Sequence, residues 1–168
     1  MTRRLLTVFL IVAVLLVPVP ATAVPPLVEV AALWTWPLGA GPPPVTRPFD
    51  VLPHAYAAGH RGVDLAGAPG SVVLAAGDGV VAFAGMVAGR PVVSVQHPGG
   101  LRTTYEPVEP SVAAGLPVAR GSPLGVLAAG HAGCPSAACL HWGLRRGETY
   151  LDPLTLLAIP RIRLLPLE

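Results

Sequence analysis

Along this chain, apolar and polar positions alternate in short runs rather than recurring every three or four residues. Ser71 to Ala75, Val80 to Ala84, Val92 to Gln96 and Leu101 to Tyr105 are such runs, rich in β-branched residues. They are separated by turn formers: Gly77-Asp78-Gly79, Gly89-Arg90 and His97-Pro98-Gly99-Gly100. Runs of this kind between turn signals predict strands, and Val93 and Val95 against Ser94 and Gln96 give one strand an apolar and a polar face. No stretch offers a long amphipathic helix. Cys139 to Leu144 predicts a last strong strand, on which residues two apart share a face, so that Cys139 and His141 point the same way. The pattern predicts an all-β domain, an antiparallel sheet or sandwich.

The interruptions are as informative as the runs. Glu106-Pro107-Val108-Glu109-Pro110 breaks the ladder, because proline cannot donate to it. Ser111 to Val118 and Pro123 to Ala128 read as a turn-rich return. Thr46-Arg47-Pro48-Phe49 reads as a strand entering a loop that runs to Gly59. Gly59, Gly62, Gly67 and Gly70 argue against a helix around His60 and Asp64 and for a turn running into a short strand. Residues 24–44 form a Pro-rich lead-in whose Trp34-Thr35-Trp36-Pro37-Leu38 is apolar enough to dock on a domain spanning 45–157. The paired tryptophans read as docking hydrophobes, with a glycan-stacking platform as the other reading. Tyr150 to Leu154 closes the domain, and 158–168 is a C-terminal tail.

Composition changes the picture at the N-terminus. Arg3 and Arg4, the apolar run Leu5 to Val17 and then Ala21-Thr22-Ala23 have the form of a secretory signal cleaved after Ala23. The run is short and ends on prolines, so no stable membrane span is expected after cleavage; an uncleaved anchor is the other reading. Removing residues 1–23 takes two of the eleven basic residues and leaves nine against nine acidic ones. A near-neutral chain carries no basic footprint for nucleic acid. All the basic residues are arginine, and the Ala, Gly, Pro and Val bias fits a GC-rich bacterial genome.

The candidate chemistry lies in two distant pieces, Gly59-His60-Arg61-Gly62-Val63-Asp64-Leu65 and Cys139-Leu140-His141-Trp142-Gly143-Leu144. His60, Asp64 and His141 are the candidate metal ligands, since two imidazoles and one carboxylate are a common set for a zinc ion that keeps a free position. Cys134 and Cys139, five apart in an exported chain, read as a disulfide closing a small loop. The competing reading makes Cys139 a thiolate and fourth zinc ligand, closing the site into a structural one. Arg61 reads as a solvated arginine or as a partner for an anionic substrate group. His54 and His97 read as ordinary polar residues.

With those residues in hand, the chain resembles the M23 (lysostaphin or LytM-type) zinc metallopeptidases from about Val45 to Leu157. The resemblance is carried by His60-x-x-x-Asp64, the Gly77-Asp78-Gly79-Val80-Val81 turn, the Thr103-Thr104-Tyr105 strand and Leu140-His141-Trp142. It implies a β-sheet domain with a groove, a zinc held by His60, Asp64 and His141, and hydrolysis of peptides in bacterial cell walls. Two positions depart from the family pattern. The first histidine of its H-x-H motif is Cys139 here, and the histidine of its Y-x-H pattern is Pro107. Glu106 and His131 are the candidate substitutes for the lost catalytic groups. Two readings follow: a secreted zinc endopeptidase acting on peptidoglycan peptides, or a degenerate domain that binds zinc and wall peptide as a binding or regulatory module. A third possibility is that the fold persists while metal binding has been lost.

Overall fold

The computed structural model describes residues 33–157 apart from 52, 55, 56, 131 and 132. The signal segment, the tail and His131 lie outside the described residues. Among these, eleven strands form two antiparallel sheets: β1 Val45–Arg47, β2 Gly62–Gly67, β3 Val72–Leu74, β4 Gly79–Val87, β5 Arg90–Gln96, β6 Leu101–Glu106, β7 Val108–Pro110, β8 Pro117–Val118, β9 Pro123–Leu127, β10 Ala138–Arg146 and β11 Thr149–Leu151. The larger sheet runs in the order β1-β2-β10-β6-β5-β4-β8, with β11 also on β10, and the smaller in the order β3-β9-β7. The all-β, antiparallel expectation holds. Two short 3-10 turns, Pro98–Gly100 and Pro153–Leu156, are the helical elements among the described residues. None of these residues lies in a helix long and apolar enough to cross a membrane.

Alternation sorts the large sheet into two faces. Val63 and Leu65 on β2, Leu140, Trp142 and Leu144 on β10, Thr103 and Tyr105 on β6 and Val93 and Val95 on β5 are all buried. They face the small sheet, whose Val73, Val108, Leu124 and Leu127 complete the core. Burying side chains of this size stabilises by about 1.5–3 kcal/mol each, which makes the inward face the one that sets the register. The opposite parity, Asp64, His141, Thr104, Glu106 and Ser94, is left for chemistry.

The Glu106–Pro110 interruption has a more specific outcome than the end of a ladder. β6 belongs to the large sheet through Glu106, the Glu106–Pro107 peptide is cis, and the chain continues at once as β7 in the small sheet against β9. The break is a change of sheet. Likewise the turn-rich return contains β8, which covers the edge of β4, and β9, the centre of the small sheet. Leu38 lies in the core, bridged to Val73, and the Trp36 ring sits 6.4 Å from that of Trp142.

Candidate functional site

β10 is the strand on which the site is assembled. It pairs with β2 over residues 138–143 and with β6 over 141–146, so at His141 it has a neighbour on both sides. His141 lies directly opposite Asp64 on β2 and directly opposite Glu106 on β6. Paired residues of antiparallel strands share a face, so these three side chains stand in a row across the sheet. His60 joins them from just before β2. Its backbone N–H donates to the Asp50 carboxylate at 2.8 Å, and its carbonyl accepts from the Asp50 N–H at 3.0 Å, clamping the base of the intervening loop.

Three donor atoms then converge. His60 Nε2, Asp64 Oδ1 and His141 Nδ1 form a triangle with each pair 2.9 Å apart. The other nitrogen of His60, Nδ1, lies 2.7 Å from the Pro48 carbonyl oxygen, which accepts a proton and cannot give one. Nδ1 therefore carries the proton and Nε2 turns a lone pair toward the triangle, the arrangement that orients a metal-bound histidine. A hydrogen on His141 Nδ1 joins the three as hydrogen bonds to Asp64 Oδ1 and His60 Nε2, and a metal ion in its place would take a lone pair from each. Donor atoms about 2.0–2.1 Å from a tetrahedral zinc lie roughly 3.3 Å apart, a few tenths of an ångström wider than this triangle. The residues fit a divalent metal ion of that kind, and the three could hold one.

Burial grades from one side of the triangle to the other. His60 and Asp64 are buried, whereas the His141 side chain is 14% exposed and opens on a groove. That groove, about 540 Å³ in volume, is lined by His141, Gly143 and Arg145 of β10, Arg102, Thr104 and Glu106 of β6 and Val92 and Ser94 of β5. Arg61 and Tyr150 flank it beside β10, with the guanidinium carbon 5.5 Å from the ring centroid, and Phe83, Val87 and Arg90 flank it on the β4 side. Glu106 accepts from Arg90 Nε at 3.5 Å.

The sequence-derived candidates separate clearly. His60, Asp64 and His141 meet, although the two histidines are 81 positions apart in the sequence. Cys139 is joined to Cys134 in a disulfide, so its thiol is consumed and the fourth-ligand alternative falls away. Glu106 shares the groove with His141. The placement of His131 is outside the described residues. Arg61, a candidate partner for an anionic group, does flank the groove, while Gly62, Arg90, Arg102, Gly143 and Arg145 are site residues the sequence does not single out. The period-two spacing of His141, Gly143 and Arg145 was the signal that could have found the last two.

A family model described as Peptidase family M23 matches residues 58–153. Uncharacterized protein Rv2891 of Mycobacterium tuberculosis and uncharacterized protein Mb2915 of Mycobacterium bovis are each 57% identical over 137 residues, 79% of this chain and 55% of theirs. The chain thus spans about half the length of those relatives. Among solved structures, Csd3 of Helicobacter pylori superposes with a TM-score of 0.61 at 25% identity, covering 80% of this chain and 35% of that one. A zinc containing peptidase from Vibrio cholerae (TM-score 0.59, 23% identity, 71% and 38% covered) and lysostaphin (0.55, 24%, 68% and 49%) share the fold. The family match takes in His60, Asp64 and His141 and more than half of the chain, and on that ground the chain belongs to peptidase family M23.

Proposed function

We propose that this protein is a secreted, extracytoplasmic zinc endopeptidase that hydrolyses peptides of bacterial peptidoglycan. The observation that carries the reading is the convergence of His60 Nε2, Asp64 Oδ1 and His141 Nδ1 at the head of an open groove. A zinc ion held by three protein donors keeps one position open and, when bound, supplies Lewis-acid polarisation of a peptide carbonyl and a lowered pKa for water. The groove floor of Gly143, Thr104 and Ser94 admits an extended peptide, since Gly143 contributes no side chain there. Glu106, directly opposite His141 in the sheet, is the carboxylate that lines the groove beside it, and it is the residue to which this reading gives the proton transfer from water to the departing amine. Arg90 Nε donates to that carboxylate at 3.5 Å.

The test is digestion of purified peptidoglycan by the zinc-supplemented protein, with release of new amino groups measured for wild type and His141→Ala. Wild type releases them and the variant does not; equal release by both sinks the reading. A second reading, a binding or regulatory module with little turnover, is favoured by the Arg90–Glu106 ion pair, which engages the proton-transfer candidate. Retention of peptidoglycan without release of amino groups selects it.

A further inference from the structure

We infer that Arg102 and Arg145 form an anchoring site for a carboxylate of the bound peptide, about 13 Å along the groove from His141. The inference rests on the reading of the groove as a peptide site. The two arginines are directly opposite each other on β6 and β10, on the face that carries His141 and Glu106. Arg145 is four positions on from His141 and Arg102 four positions before Glu106, which at a rise of about 3.3–3.4 Å per residue gives that distance.

Like charges directly opposite on adjacent antiparallel strands destabilise a sheet. Among the described residues little offsets this pair. Arg145 Nη1 lies 3.7 Å from Glu148, whose side chain is 95% exposed, and an ion pair so exposed contributes almost nothing. Arg102 Nε donates to Gln96 Oε1 at 3.0 Å, a neutral amide. Both arginines are only partly exposed and both line the groove as well as a smaller depression beyond it, so two positive charges share the end of the groove. Two planar forks side by side match the geometry of a carboxylate, which takes charge-assisted, bidentate hydrogen bonds from arginine. An extended peptide with its scissile bond beside His141 reaches the pair about four residues away. The carboxylate is that of an acidic side chain or of a chain end.

Calorimetric titration of the zinc-supplemented protein with capped Gly/Ala octapeptides tests this. One series carries a single Glu and its twin a single Gln at successive positions, and a further peptide has a free C-terminus in place of the amide. The expectation is one Glu position that binds about tenfold tighter than its Gln twin, the range expected for hydrogen bonds to a charged group. The free C-terminus shows the same gain only if a chain end also reaches the pair. Arg102→Gln and Arg145→Gln each remove the Glu preference while leaving the Gln peptides within about twofold. Their urea midpoints do not fall, because a like-charge contact is relieved, and this shows that the variants fold. Equal binding of Glu and Gln peptides at every position, a preference that survives in the double variant, or no peptide binding at all overturns the inference. Binding is read without turnover, so a protein that fails to cut peptidoglycan but keeps the Arg-dependent Glu preference refutes the peptidase reading and not this one.

Discussion

Gly62 shows at the scale of one residue why a cluster of three side chains depends on something that has none. A Cβ built there would lie 2.5 Å from the Trp142 carbonyl oxygen and 2.7 Å from the His141 ring. Gly62→Ala must therefore displace the β10 backbone and the His141 ring, and the expected outcome is a loss of zinc affinity of tenfold or more, as when an outer support of a metal site is removed, measured by competition with a chelating dye. Gly143→Ala is the matched control on metal: its Cβ would meet neighbours at 3.5–3.7 Å, ordinary contact, so zinc stays while a methyl group intrudes on the groove floor. Glu106 belongs to the same scale. Glu106→Gln keeps shape and removes the proton acceptor, so kcat on a wall peptide is expected to fall by about 10²–10⁴ with KM little changed. An unaltered kcat would remove Glu106 from the mechanism.

At the scale of the element, β10 does two jobs by its two parities. Leu140, Trp142 and Leu144 hold the core, while His141, Gly143 and Arg145 line the groove. The disulfide between Cys134 and Cys139 ties the start of this strand to the loop that leads into it, with five residues of sequence separation. Closing so short a loop stabilises by about 2 kcal/mol in the chain-entropy account. Replacing both cysteines by serine is expected to lower the unfolding free energy by about that amount in urea titrations. Zinc stoichiometry should be retained, because neither sulfur belongs to the triangle. The strand itself was legible in the sequence from its alternation. The sheet change after Glu106 was not, because Pro107 announces a break in hydrogen bonding and says nothing about where the chain goes next.

For the whole molecule, the buried polar chain behind the large sheet sets the dependence of stability on pH. His97 Nδ1 lies 2.7 Å from the Asp78 carbonyl oxygen and Nε2 2.7 Å from the Thr103 hydroxyl. The Thr103 hydroxyl in turn lies 2.8 Å from that of Tyr105, which accepts from the Ala76 N–H at 3.0 Å. Burial holds the His97 imidazole below its ordinary value of 6.5, with the Asp78 contacts opposing it, and pushes the Tyr105 phenol up to about 12. A histidine with a depressed pKa contributes stability above the unfolded value of 6.5, lost as pH falls below it, because the unfolded chain then binds the extra proton. A tyrosine with a raised pKa contributes stability below 10, lost as pH rises from 10 toward 12. Thermal unfolding across pH is expected to show a plateau between those limits. His97→Gln should flatten the acid limb, and an unchanged limb would place its origin elsewhere.

The sequence by itself determined the all-β class, the central strands of the large sheet and the identity of the three converging residues, and it left the disulfide as one of two readings of Cys139. Period-two alternation and turn residues are local, and a histidine four residues before an aspartate in a glycine-rich turn is visible on one line of text. Only the tertiary structure decided that Glu106 faces His141, that Gly62 must be bare, that His97 is buried and that Arg102 meets Arg145. Each of these is a pairing between strands distant in sequence, and register is set by how the buried faces of Tyr105, Trp142 and Val63 pack together. A shift of one residue would invert every face, so the free energy of the core, spread over the whole sheet, selects which polar residues share the groove.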